Sequence, residues 1–168
     1  MLVLTTLFLF PALMCFAASS DLVTMTISNR ISLALLAGFV AIAIWSGLSL
    51  ELILWHFGCG MTVLVITFTL FACGWIGGGD AKLAATTGVW FGFANIVEYG
   101  AVASVLGGVL TVSVIWVRGM TLPPQLASVD WIARLTDKTN GVPYGIALAA
   151  AGLLLYPQTV IWTAAAAA

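Results

Sequence analysis

The sequence predicts an all-α membrane protein with about six transmembrane helices and both termini outside. Of its 168 residues, 62% are hydrophobic and only 7% are charged, and the mean hydropathy is +1.18. A soluble domain carries about 25% charged residues, so the composition excludes an ordinary soluble protein. Two further observations support the prediction: the few charged residues divide the chain into span-sized apolar stretches, and the basic ones all fall on one side.

Six apolar stretches are candidate spans, because a helix needs roughly 20 apolar residues to cross about 30 Å of hydrocarbon. They are Leu2–Ala18, Ile31–Leu50, Phe57–Ile76, Ala84–Val97, Ala101–Val117 and Tyr144–Trp162. The fourth is the shortest. We expect residues 1–163 to form one transmembrane domain, and we interpret Ala164–Ala168 as a tail with little information about fold or function.

The connection 118–143 is much longer than the others. Trp131, Ile132 and Leu135 recur in it at helical spacing. This pattern predicts a short amphipathic helix that lies at the membrane surface, either as a plain interfacial element or as a lid that guides substrate.

The basic residues predict which side of the membrane each connection faces. Arg30 follows the first span, Lys82 follows the third, and Arg118, Arg134 and Lys138 follow the fifth. With six spans these three connections share one side, which the positive-inside rule makes cytoplasmic. Glu51, His56 and Glu98 then belong to the outward loops.

Several functions are excluded or disfavoured by what the chain contains. Cys15, Cys59 and Cys73 have no CxxC spacing, and the single histidine, His56, is far in sequence from two of them. We therefore expect no zinc site and no other metal or cofactor. A basic patch large enough for nucleic acid is also missing from the sequence.

Two aspartates stand apart from the other acids, because each lies at the cytoplasmic edge of an apolar span. Asp21 follows the first span and Asp80 precedes the fourth. If those helices pack together, the two carboxyls meet near membrane depth. Adjacent acids in a low-dielectric site share one proton, so one can activate water while the other donates a proton.

A run of three glycines, Gly77, Gly78 and Gly79, directly precedes Asp80. Each glycine opposes a helix by roughly 1 kcal/mol relative to alanine and permits close approach of another backbone. We expect an open loop that lets an extended substrate reach Asp80. A plain flexible turn explains the glycines equally well.

Three motifs in this order carry a resemblance to a known family. "GGGDAKL" contains a GxGD signature that ends at Asp80. "DLVTMTISNRIS" begins at Asp21 and continues to Ile27 and Asn29, and "GVPYGIALAAAG" contains Pro143, Tyr144 and Gly145. The chain resembles the type IV prepilin peptidases, which are GxGD aspartyl proteases. It departs from their pattern at Ser28, where proline is usual, and at Thr24 and Met25, where basic residues are common.

The resemblance implies that Asp21 and Asp80 are the catalytic pair of an aspartic endopeptidase in the bacterial inner membrane. It implies prepilin or pseudopilin substrates, cut at the cytoplasmic face to remove a short basic leader, with membrane lipid and the pilus assembly machinery as further partners. Larger members carry a cysteine-rich region with paired CxxC motifs that is associated with methylation. This chain has none, and so it resembles the short branch that serves Flp/Tad pili.

Two polar residues beside the acids have open roles. Lys82 is either a cation that acts on Asp80 or a lipid phosphate, or a positive-inside anchor. Asn29 either hydrogen-bonds near Asp21 or caps the helix that starts at Ile31.

An alternative from another functional class is a small transporter or proton-relay subunit that uses Asp21 and Asp80 as proton carriers. A relay favours acids along one path at several depths. The middles of the six candidate spans contain no acid or base, which favours the peptidase.

Overall fold

A computed structural model describes residues 2–120 and 123–166, and within these ranges the chain is helical without any strand. The α-helices are α1 Leu2–Thr24, α2 Asn29–Trp45, α3 Leu50–Ala72, α4 Gly78–Arg118, α5 Pro124–Ala127, α6 Asp130–Thr136, α7 Tyr144–Leu155 and α8 Val160–Ala166. A 3₁₀ turn, Tyr156–Gln158, joins α7 to α8. The predicted all-α fold is confirmed.

Within the described ranges, three helices are long and apolar enough to cross a membrane: Leu7–Thr24, Leu50–Ala72 and Gly78–Arg118. Two shorter apolar helices are Asn29–Trp45 and Tyr144–Gln158. Helix α1 continues six residues beyond its expected end, so Asp21 lies in its last turn. Helix α3 starts at Leu50 instead of Phe57, because Ser49 caps it by accepting the N–H of Leu52. Glu51 and His56 are therefore inside a helix, and the prediction that they lie in a loop is wrong.

Helix α4 contains both the fourth and the fifth predicted spans, and the expected loop around Glu98 is wrong. The helical geometry is instead interrupted at Gly92, whose φ of 61° and ψ of 178° are accessible essentially only to glycine. Tyr99, whose hydroxyl donates to the carbonyl of Leu148, lies close enough to Thr87 to interact with it. Its ring lies 5.0 Å from that of Phe91. Twelve residues of straight helix span about 18 Å. The part of α4 after Gly92 therefore folds back along the part before it.

His56 stabilises the break. Its Nδ1 lies 2.7 Å from the carbonyl oxygen of Val89, and because a carbonyl only accepts, Nδ1 carries the proton. The ring packs against Gly92, where an added Cβ would lie 2.9 Å from Cε1. An unpaired carbonyl in an apolar interior is costly, so this hydrogen bond makes the buried break tolerable.

The core is a cluster of aromatic side chains that joins α1, α2 and α4 to the 3₁₀ turn after α7. Phe10 of α1 stacks on Tyr156 with centroids 4.5 Å apart, and Trp90 of α4 lies between them and Phe39 of α2. The indole Nε1 of Trp90 donates to the carbonyl of Leu35 at 3.1 Å. All four rings are fully or almost fully buried. This cluster fixes the helices whose ends carry the two acids.

The long connection after α4 contains two short helices. The predicted helix around Trp131 is confirmed as α6, Asp130–Thr136. The last predicted span is less regular than expected, because Pro157 ends α7 in the 3₁₀ turn before α8 begins. Helix α8 runs into the alanine tail as far as Ala166, and Ala167 and Ala168 lie outside the described residues.

We predict that Gly92→Ala destabilises the protein by about 2 kcal/mol or more, because alanine is strained at this φ and its Cβ meets the His56 ring. The free energy of unfolding in detergent or bicelles measures this. Gly100→Ala is the matched control, since it lies in the same helix and an added Cβ has no atom within 4 Å. Equal stability of the two variants would show that the break does not depend on glycine.

Candidate active site

Asp21 is buried at the end of α1, with only 5% of its surface exposed. Its Oδ2 accepts a hydrogen bond from the backbone N–H of Gly145 at 2.8 Å. Gly145 is the second residue of α7, so this N–H is among the donors that a helix leaves unpaired at its start. The positive end of the helix dipole favours a carboxylate there. The structure therefore gives the buried acid a backbone donor from the far end of the chain.

Asp80 is the third residue of α4 and is half-buried. Its side chain turns back toward the N–H of Gly77, the residue that precedes the helix, as acids do in a capping box. The N–H of Gly145 also points toward this carboxyl. Both acids thus gather around the same backbone donor, and Asp80 interacts electrostatically with Asp21.

The two acids line one cavity of about 320 Å³. Its walls come from the end of α1, the connection between α3 and α4, and the residues that lead into α7. They are Asp21, Met25, Gly74, Trp75, Ile76, Gly77, Asp80, Gly141, Val142, Pro143 and Tyr144. The sequence suggested that Asp21 and Asp80 could meet if the first and fourth spans pack together. The two acids line one cavity, but α1 and α4 pack mainly through α7, which contacts both.

The glycine run is not an open loop. Gly77 caps α4, whereas Gly78 and Gly79 form its first turn. They are packed closely: an added Cβ at Gly78 would lie 3.2 Å from the Phe71 ring, and one at Gly79 would lie 3.1 Å from Cβ of Ile27. The prediction of an open loop is therefore wrong. Gly78 and Gly79 are helical, and glycine is needed there because neighbouring segments pack too closely for a larger side chain.

Lys82 and Asn29 meet each other and not the acids. The Lys82 Nζ donates to Oδ1 of Asn29 at 2.9 Å. Lys82 borders a different cavity of about 280 Å³, between α2, α3 and α4. Asn29 is the first residue of α2, and the cap of this helix is Ser28, so the alternative that Asn29 caps it is wrong. The pair therefore ties the start of α2 to the first turns of α4, the helix that carries Asp80.

Pro143 and Tyr144 form the wall of the cavity next to Gly145. Pro143 precedes α7 as its N-terminal cap. The hydroxyl of Tyr144 lies 2.9 Å from Oγ1 of Thr111 in the second part of α4. Gly145 itself leaves no space for a side chain, since an added Cβ would lie 2.7 Å from Oδ2 of Asp21.

An apolar groove of about 390 Å³ adjoins the cavity of the acids. It runs between α3, both parts of α4, and α7, and its lining is almost entirely aliphatic and aromatic. The cavity and the groove share three residues, Ile76, Asp80 and Tyr144. Asp80 thus lies where a polar cavity opens into an apolar one.

Several lining residues were not predicted from the sequence. Gly74 ends α3 with a φ of 76°, and the hydrogen bonds Gly74 N to Phe71 O and Trp75 N to Leu70 O complete a Schellman motif. A glycine directly after a long apolar run is typical of a helix end, so Gly74 could have been used to predict where α3 ends. Met25, with a φ of 54°, carries no such signal, because its position depends on tertiary packing.

A family model for the type IV leader peptidase family matches residues 8–112. The chain belongs to this family. The matched segment contains Asp21 and Asp80, whereas Gly145, which donates to Asp21, lies beyond it. No curated protein and no solved structure matches the chain. Among the described residues, no group of three or more His, Cys, Asp or Glu side chains is placed to hold a metal ion.

We predict that Gly145→Ala lowers peptidase activity by about 10-fold or more, because the new methyl group displaces the Asp21 carboxyl. The rate of leader removal from a pilin precursor measures this. Gly108→Ala, which has no atom within 4 Å of an added Cβ, is expected to keep the wild-type rate. A wild-type rate in Gly145→Ala would show that this contact is not needed.

Proposed function

We propose that the protein is an aspartic endopeptidase of the membrane whose catalytic groups are Asp21 and Asp80. The observation that carries the proposal is that both acids line one cavity and approach the same backbone donor, Gly145 N–H. The family gives the reaction class, leader peptide removal. The two acids are the only carboxyls among the residues that line this cavity.

The proposed mechanism needs two carboxyls and one water. Two neighbouring acids in an apolar setting hold one proton between them. The ionised carboxyl takes a proton from water as the water oxygen attacks the scissile carbonyl carbon, and the other carboxyl hydrogen-bonds the carbonyl oxygen. When the C–N bond breaks, this second carboxyl donates its proton to the leaving amine, and the pair again holds one proton, now on the first carboxyl. No covalent bond to the enzyme forms.

The shape of the site supports a substrate with an extended segment next to an apolar one. The cavity of the acids has room for a peptide backbone, and the groove that begins at Asp80 suits apolar side chains. We propose prepilins or pseudopilins with a short basic leader as substrates. The absence of paired CxxC motifs from the sequence supports the short Flp/Tad branch, without a methyltransferase region.

We propose that the site faces the cytoplasm from the bacterial inner membrane. Contacts bring basic residues to the same end of the molecule as the acids: Lys82 bonds Asn29, and Arg118 bonds the loop that forms one cavity wall. The positive-inside rule then favours the cytoplasm for this end. Membrane lipid surrounds the helices, and the pilus assembly machinery receives the product.

Lys82 and Asn29 have a separate proposed role. Their hydrogen bond links the segment after Asp21 to the helix of Asp80. We propose that it keeps the two acids in register, with Lys82 also serving as a positive-inside anchor.

We predict that Asp21→Asn and Asp80→Asn each lower leader cleavage by about 100-fold or more, because either change removes one partner of the acid pair. The protein is reconstituted in liposomes with a pilin precursor, and cleavage is followed by mass shift. Glu98→Gln, an exposed acid outside the cavity, is the control. If either asparagine variant cuts at the wild-type rate, the paired-acid mechanism is wrong. A protein that passes protons but cuts no precursor would favour the relay alternative.

We predict that the end of the molecule with the two acids faces the cytoplasm. Single cysteines in a variant that lacks Cys15, Cys59 and Cys73 test this orientation. A membrane-impermeant maleimide should label Lys138→Cys only from the cytoplasmic side and Glu51→Cys only from the outside, in inside-out and right-side-out vesicles. The opposite pattern would refute the proposed orientation.

A further inference from the structure

We infer that Arg118 is a positioning residue of the active site, which acts by holding the loop that delivers Gly145 to the acids. This inference rests on the proposed function, since it assigns a residue to the same site. Arg118 is the last residue of α4 and lies beyond the segment that the family model matches.

The guanidinium of Arg118 binds three backbone carbonyls of the following connection. Its Nε donates to Leu135 at 2.8 Å, and its Nη2 donates to Asn140 at 3.1 Å and to Gly141 at 2.9 Å. Arginine has five N–H donors in a rigid planar fork, so one side chain can fix several carbonyls at once. The half-buried Arg118 thus joins the end of α6 to the residues just before α7.

The carbonyls that Arg118 holds adjoin the site directly. Gly141 and the next three residues line the cavity of the acids, and Gly145 follows them. The path is short and stiff, since Pro143 restricts it and the N–H of Tyr144 donates to the carbonyl of Val142 at 2.8 Å. A shift of Gly141 therefore moves the Gly145 N–H relative to Asp21.

A second contact from the same face of α4 supports the same segment. Thr111 precedes Arg118 by seven residues, which is about two helical turns, and its hydroxyl pairs with that of Tyr144 at 2.9 Å. The ring of Tyr144 rests on Gly107, one further turn back. The second part of α4 is thus a rigid template that fixes the segment before and at the start of α7.

This geometry assigns Arg118 a role that its charge alone does not provide. A positive-inside anchor needs only a cation, and lysine serves equally well. Holding three carbonyls needs the guanidinium fork, which the compact ammonium of lysine cannot reproduce. Lysine at position 118 therefore separates the two roles.

The test compares Arg118→Lys and Arg118→Gln with Arg134→Gln, which removes the same charge from the same connection. Full-length proteins are reconstituted in liposomes, and kcat and KM are measured on a pilin precursor. Both Arg118 variants should lose about 10-fold or more in kcat with KM changed less than about 2-fold, because misplacement of the acids affects chemistry more than binding. Arg134→Gln should match the wild type.

Amide hydrogen exchange, read by mass spectrometry over residues 141–146, provides a readout that does not depend on activity. Exchange should rise in both Arg118 variants and not in Arg134→Gln. If Arg118→Gln does not fold, Thr111→Val tests the same support of the segment before α7. We expect it to lower kcat less than the Arg118 variants do, again with little change in KM. Wild-type kcat in folded Arg118→Lys, or unchanged exchange over this segment, would overturn the inference. If the proposed function itself is wrong, the result is different: Asp80→Asn would then cleave the precursor at the wild-type rate, whatever the Arg118 variants do.

Discussion

The hydrogen bond from Gly145 N–H to Asp21 is the contact on which the site depends. It joins the end of the first helix to the start of the seventh, 124 residues later. A buried carboxylate is costly without donors, and here the donor is a backbone group that its own helix cannot use. Asp80 lines the same cavity and also approaches this N–H, which donates to Asp21. The glycine at this position leaves the space that the Asp21 carboxyl occupies.

The other contacts of the site serve to hold that donor and the two acids in place. The aromatic core fixes α1, α2 and α4, and the Lys82–Asn29 bond ties the start of α2 to the helix of Asp80. The second part of α4 supports the approach to α7 through Thr111 and Arg118. This support exists only because α4 reverses at Gly92, which returns its end to the level of the acids.

Much of the fold could be predicted from the sequence, because composition and charge placement are strong signals in membrane proteins. The apolar stretches gave the helices, and two isolated acids at span edges pointed to a pair. The break at Gly92 could not be predicted, because its stabilising partner, His56, lies in another helix and a single glycine in an apolar run has several explanations. Glu98 suggested a loop but sits on an exposed helix face. The charge of Arg118 indicated only a positive-inside anchor. Its carbonyl partners could not be predicted, because they lie up to 23 residues downstream and backbone groups leave no signature in the sequence.

The pairing of His56 with Val89 also constrains the order in which the chain can be built into a bilayer. A helical hairpin with a non-helical residue at membrane depth is unfavourable while the carbonyl near its bend has no donor. Helix α3, which supplies the imidazole, precedes α4 in the chain, so the donor is synthesised before Gly92. The two parts of α4 can then pack against α3, and the bend at Gly92 need not face lipid without its hydrogen-bond donor. The order of the helices in the chain thus supplies the hydrogen-bond donor before the bend that needs it.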